Sequence, residues 1–148
     1  MSSSLPIAFV EVRVFSHATE DEDKVLCAAQ SLLPSEFVEK VIFEKIRLTG
    51  HYGNPITLIE ARIKERDIIR GLLEKLAAGL SSLDKEQLCN EITQHVEKGK
   101  LYLRLDKQSI FLGEFKLGLS DSMHLKVQFK KSNLEEMLNV CRRFGMLP

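Results

Sequence analysis

Eight basic residues lie between positions 98 and 131 (Lys98, Lys100, Arg104, Lys107, Lys116, Lys126, Lys130 and Lys131) against Asp106, Glu114 and Asp121, a local net of +5. Cations at this density meet phosphates, and a ring among them, here Tyr102, can stack on an unpaired base. Strand alternation puts Arg104, Lys126 and Lys130 on the solvent side of a sheet with Tyr102, His124 and Gln128. Lysines also belong on any solvated face, so charge alone leaves both readings open.

Three shorter segments carry further chemistry. In Gly50-His51-Tyr52-Gly53-Asn54-Pro55, glycines permit close backbone approach to a phosphate while His51, Tyr52 and Asn54 offer donors and a ring. The same residues suit a hairpin loop with positive φ angles. In Ser16-His17-Ala18-Thr19-Glu20-Asp21, His17 with Asp21 and Asp23 has metal-ligand chemistry, yet helix capping already accounts for Thr19 and the acids. In Arg104-Leu105-Asp106-Lys107-Gln108 a turn needs only the aspartate, which leaves Lys107 and Gln108 in excess of structural need.

Other chemistries lack their motifs. The chain has no Gly-x-Ser-x-Gly, Gly-x-x-x-x-Gly-Lys, Gly-x-Gly-x-x-Gly or His-Glu-x-x-His, so no enzyme, metal or cofactor is expected. Cys27, Cys89 and Cys141 are widely spaced and fit a reducing cytoplasm rather than a disulfide framework. Twenty-one basic residues balance twenty-one acidic ones, so overall charge names no partner. Glu11 and Arg13 interrupt the first apolar run, and no stretch nears the roughly 18 apolar residues of a membrane span. Neither a signal peptide nor a membrane partner is expected.

The elements that must position these residues follow from periodicity. Residues 7–15 alternate as a strand, and Thr19 with Glu22 reads as a capping box for a helix from about Glu20 to Leu33. Strands at 40–49 and 56–63 flank the glycine loop. Helices follow from about Lys64 to Gly79 and from Asp84 to Glu97. Strands are then expected at 100–106, 110–116 and 123–130, with Asp106-Lys107-Gln108 as a short reversal. Asn133 caps a last helix with an inner stripe of Leu134, Met137, Leu138, Cys141 and Phe144. The order β-α-β-β-α-α-β-β-β-α predicts one α+β domain over residues 1–148, with 1–6 an extended start. Its mainly antiparallel sheet is covered by helices on one face and wet on the other.

Together the segments resemble the signatures of a known family. His17-Ala18-Thr19-Glu20-Asp21 with Lys24-Val25, Gly50-His51-Tyr52-Gly53-Asn54-Pro55-Ile56, and Leu101-Tyr102-Leu103-Arg104-Leu105-Asp106-Lys107-Gln108 look like those of the small archaeal RNA-binding family described as predicted exosome subunits. The likeness runs in order from about residue 7 to residue 145. It implies a ribosomal-L5-like α+β fold and a cytoplasmic role in RNA binding, as an accessory to exosome-type RNA degradation or ribosome-related RNA processing. It also implies a double-stranded-RNA-binding-like α-β-β-β-α arrangement, the order in which residues 84–144 read. Here Glu135 and Glu136, not a basic cluster, open the last helix.

The expected RNA contacts are therefore Arg104, Lys107, Lys126 and Lys130 to phosphate, Tyr102 or Tyr52 by stacking, and His51, Asn54 and Gln108 to sugar or base. His17, Thr19 and Gly53 complete the set. Two rivals stand beside it. One is a protein–protein adaptor or self-associating homodimer that uses the open sheet face or an edge. The other is a metal-dependent hydrolase, which requires His17, Asp21, Asp23 and His51 to converge.

Overall fold

The computed structural model describes residues 5–131 and 133–148. Six antiparallel strands form one sheet: β1 (Ile7–His17), β2 (Glu44–Thr49), β3 (Pro55–Ile63), β4 (Val96–Glu97), β5 (Lys100–Asp106) and β6 (Ser122–Phe129), in the order β2-β3-β1-β6-β5-β4. Six helices accompany it: α1 (Glu22–Gln30), α2 (Arg66–Gly79), α3 (Ser82–Asn90), α4 (Ile92–His95), α5 (Lys107–Phe111) and α6 (Leu134–Phe144), with a 3-10 segment at Ser35–Lys40.

The core follows the alternation. Val10, Val12 and Val14 of β1, Leu101, Leu103 and Leu105 of β5, and Met123, Leu125 and Val127 of β6 are buried on one face. Against them pack Val25 and Ala29 of α1, the Ile68–Ile69–Leu72–Leu73–Leu76 stripe of α2, and Met137, Val140 and Cys141 of α6. Fully burying a side chain of this size contributes roughly 1.5–3 kcal/mol, so this double layer is the main source of stability. No helix among the described residues is long and apolar enough to cross a membrane.

Several local expectations are corrected. Asp21, not Thr19, caps α1, accepting from the Asp23 amide at 3.0 Å. Glu22, freed from a capping box, instead binds Lys45, Arg47 and Thr57 and ties α1 to the β2–β3 hairpin. The expected helix from Asp84 to Glu97 is two helices followed by β4. Lys98 (φ 50°) and Gly99 (φ 79°) then turn the chain into β5, the two left-handed residues of a tight hairpin. In the last helix Val140 is buried, while Leu134, expected inside, is exposed.

The largest difference is at 107–116, where no strand forms. Asp106 accepts from the Ser109 amide at 3.0 Å and its hydroxyl at 2.6 Å, so the supposed reversal is the cap of α5. The chain returns only briefly alongside β5, through the Leu105–Leu117 bridge and a hydrogen bond from the Gly118 amide to the Arg104 carbonyl at 2.9 Å. Residues 84–144 therefore supply three strands (β4, β5, β6), but α5 stands between the last two.

Candidate functional site

Strand register decides which outward side chains meet. Arg13 of β1 stands opposite His124 of β6, and His124 stands opposite Arg104 of β5. One step along, Glu11, Lys126 and Tyr102 form a parallel row. Directly opposed Cβ atoms lie about 4.5–5.5 Å apart, so the two rows make one continuous surface. α3 and α4 rise beside it. Leu88 and Ile92 face the core, while Gln87, Glu91, Gln94 and His95 border an open cleft of about 1020 Å³ with both rows and residues 117–120.

Specific bonds hold these walls. His95 Nδ1 donates to the Tyr102 carbonyl at 3.1 Å, fixing α4 to β5. Asp84 accepts from the Leu117 amide at 3.1 Å, tying α3 to the returning chain. At Gly118 the backbones approach so closely that a Cβ would sit 2.9 Å from Asp106 Cα; only glycine lets this wall form.

The charges of the cleft are mostly paired. Arg13 Nε lies 3.2 Å from Glu60, and Glu11 holds Arg62 at 2.9 Å and Lys126 at 3.4 Å. Burial opposes ionisation of Glu11, but the bonds from Arg62 and Lys126 outweigh it and keep the carboxyl below its ordinary range. Arg104 is different: among the described residues its guanidinium has neither a hydrogen bond nor a carboxylate partner. Burial, then Arg104, then Arg13 push the His124 pKa down and favour the neutral imidazole. An unpaired guanidinium beside a histidine whose charged form is opposed by burial and by two cations is a place where an anion gains on both counts.

Parts of the three motif segments meet at one end of the sheet, where the Lys107 cation is neutralised. His17 pairs across the sheet with Ile56, the second residue of β3 after the glycine loop, and His17 Nε2 lies 3.2 Å from Asp121. Lys107, expected on the surface, has a side chain 0% exposed; its ammonium donates to the Phe15 carbonyl at 2.9 Å, to Glu20 at 2.8 Å and to Asp121 at 3.0 Å. Burial raises the Asp121 pKa, but Lys107 and then His17 outweigh it and the group stays below its usual value. Lys107 is thus a structural pin, closed to phosphate in this fold, because both its charge and its donors are already engaged.

Among the described residues, His17, Glu20 and Asp121 are the group whose potential metal-ligating atoms converge, within 4.8 Å. The Lys107 ammonium bonds both of those carboxylates, so a cation already stands there. Asp21, Asp23 and His51 lie outside the group, and the convergence that the hydrolase reading required is not present among them.

The remaining expected residues are dispersed. Tyr102, Arg104 and Lys126 line the cleft. Lys130 is exposed just beyond β6, its amide donating to the Pro6 carbonyl at 3.0 Å. Thr19 and Gln108 border a different concavity beside Glu20, Asp21 and Asp23, whose carboxylates would repel a phosphate. The glycine loop is the β2–β3 hairpin turn. Gly53 takes a φ of +80°, the Gly50 amide donates to the Asn54 carbonyl at 2.6 Å, and His51 packs edge-on against an 86% exposed Tyr52. Arg13, Gln94 and His95 also line the cleft. Alternation in β1 marks Arg13 as outward, but only the pairing of β1 with β6 carries it beside Arg104.

Comparison with known proteins agrees with this architecture. Residues 9–130 match the model of a family described as RNA binding. The chain is 40% identical over 133 residues to RNA-binding protein PAB1135 of Pyrococcus abyssi, covering 88% of this chain and 86% of that one. Among solved structures it is similar to Mth689, a DUF54 protein from Methanothermobacter thermautotrophicus, with 26% identity and a TM-score of 0.74 over 96% of this chain and 98% of that one. It is also similar to SSO0741 from Sulfolobus solfataricus, with 26% identity and a TM-score of 0.73 over 91% and 98%.

Proposed function

The chain belongs to the RNA-binding family whose model spans residues 9–130, and from that premise we infer a non-catalytic RNA-binding protein that contacts RNA through the cleft on its open sheet face. The observation that carries the assignment to this cleft is Arg104, whose guanidinium has no carboxylate partner among the described residues. Beside it Arg13 and Lys126 supply further positive charge, Tyr102 a ring, and His95, His124 and Gln94 donors and acceptors. Phosphate contacts of this kind hold the chain of an RNA, and ring and amide contacts read its bases. The printed name of the Pyrococcus relative supports the ligand class.

The finer role that we propose is an accessory to exosome-type RNA degradation or to ribosome-related RNA processing in the cytoplasm. Its support is the resemblance of the three motif segments to the family described as predicted exosome subunits.

Fluorescence anisotropy with a labelled RNA at several salt concentrations tests the ligand and the site together. Each phosphate contact to a single strand contributes about −0.7 to the slope of log K against log salt. Replacing Arg104 by Gln is expected to weaken binding and flatten that slope by roughly one contact. An unchanged slope and affinity in Arg104→Gln would move RNA away from this cleft.

A further inference from the structure

We propose that the cleft takes single-stranded RNA, with unpaired bases laid against Tyr102 and the neighbouring sheet face, and that it discriminates against duplex. The proposal rests on the reading of this cleft as the RNA surface and adds the strandedness of its ligand.

Charge is the first reason. Within the cleft Arg13, Arg104 and Lys126 face Glu11 and Glu91, one cation in excess, and Arg13 is further tied to Glu60. Proteins that hold a duplex through its backbone typically neutralise about 6–10 phosphates. One net charge with interspersed carboxylates falls short of that, so base contacts are needed beside the phosphate contact of Arg104.

The rings supply the second reason. Tyr102 of β5 is 39% exposed beside Lys126, and Phe15 of β1 is similarly open on the same face of the sheet, beyond Arg13. In the Glu11–Lys126–Tyr102 row, on the far side of β1 from Tyr102, the half-exposed Arg62 guanidinium lies 4.3 Å from the Phe9 ring centroid and bonds Glu11 at 2.9 Å. Aromatic and guanidinium planes hold bases by stacking, which is available only where bases are not already stacked in a helix.

The walls supply the third. Gln87, Gln94 and His95 on the helical wall present donors and acceptors together, the complement of base edges. In A-form duplex the Watson–Crick edges are paired and the major-groove edges lie in a groove too narrow for side chains, which leaves the shallow minor groove. The cleft itself, about 1020 Å³ and walled by α3, α4 and residues 117–120, matches the upper end of the roughly 300–1,000 Å³ range of small-ligand sites. It suits a few splayed nucleotides, not the convex side of a helix.

The test uses the full chain and three labelled probes of equal length: a mixed-sequence single-stranded 12-mer RNA, its perfect duplex, and an abasic strand with the same phosphates. Single-stranded RNA is expected to bind at least about tenfold more tightly than the duplex or the abasic strand. Tyr102→Ala should cost single-stranded RNA about five-fold or more, as one lost stacking contact does, and leave abasic binding unchanged. Tyr102→Phe should retain the affinity. Duplex or abasic binding equal to that of the single strand would overturn the proposal while leaving RNA binding by the cleft intact. Binding of none of the three would overturn both. A dimer mass in light scattering, with RNA excluded from the dimer, would assign the face to a second copy and overturn the proposal as well.

Discussion

The Lys107 ammonium and the Glu20 carboxylate, 87 positions apart in sequence, lie 2.8 Å from each other at the end of the sheet. With Asp121 at 3.0 Å and the Phe15 carbonyl at 2.9 Å, the bond fastens the start of α5 to β1, to the turn before α1 and to the entrance of β6. Two of the three motif segments therefore owe their pattern to architecture: His17 and Glu20 on one side, Asp106 and Lys107 on the other.

Replacing Lys107 by Met should destabilise the protein. Removing one partner of a buried ion pair costs about 3–5 kcal/mol, because the remaining charge is left uncompensated. Glu20 and Asp121 are 19% and 46% exposed, so water screens part of this and a loss of roughly 2–3 kcal/mol is expected in urea denaturation. RNA affinity, measured well below the unfolding transition, should stay within about twofold of the parent. Weakened RNA binding with unchanged stability would instead place Lys107 at the interface.

His124 makes binding depend on pH. Burial and the flanking Arg104 and Arg13 lower its pKa in the free protein, while Glu91 and His95 of the helical wall face the same cleft. A bound phosphate offsets the two guanidiniums and raises that pKa, so binding takes up a proton. Affinity should therefore increase as pH falls below about 6.5, the ordinary histidine value. His124→Gln should remove this dependence. Anisotropy titrations at pH 5.5 and 7.5 read it directly, and a wild-type affinity that falls on acidification would reverse the sign.

Much of this arrangement could be read from alternation, and the exceptions have identifiable causes. Val10, Val12 and Val14 opposite Glu11 and Arg13 gave β1 its two faces, as Met123 to Phe129 did for β6, and this parity put Tyr102, Arg104 and Lys126 on the open side. The strand expected at 110–116 failed because Asp106 and Ser109 form a helix cap, chemistry that looks like a turn until the hydroxyl is seen to bond. β4 was hidden because Lys98, an uncommon left-handed residue, makes a hairpin where Gly99 reads as a helix end. Lys107 was misplaced because a lysine's burial depends on carboxylates brought from Glu20 and Asp121, which no local pattern reveals. Arg13 is the opposite case: alternation in β1 sets its direction, but only the pairing with β6 sets its neighbours.

Glu22 gives the acid limb of stability a specific origin. Hydrogen bonds from Lys45 first, then from Thr57, then from Arg47, hold its carboxyl at about 2 against an ordinary 4.5. Since the folded value is depressed, its contribution is complete above pH 4.5 and is lost as pH falls from 4.5 towards 2. Glu22→Gln should melt at a lower temperature than the parent at pH 7, and the two melting curves should converge near pH 2. A constant gap across this range would show that the Glu22 charge is not the source.

The most direct test of the cleft as the RNA surface is an amide chemical-shift map of the full chain during titration with single-stranded RNA. The largest perturbations are expected at Arg13, Tyr102, Arg104, His124 and Lys126, with Gln94 and His95 on the helical wall, and they should vanish in Arg104→Gln together with Tyr102→Ala. Perturbations confined to His17, Thr19, Gln108 and the 50–55 hairpin, with the sheet face silent, would contradict it.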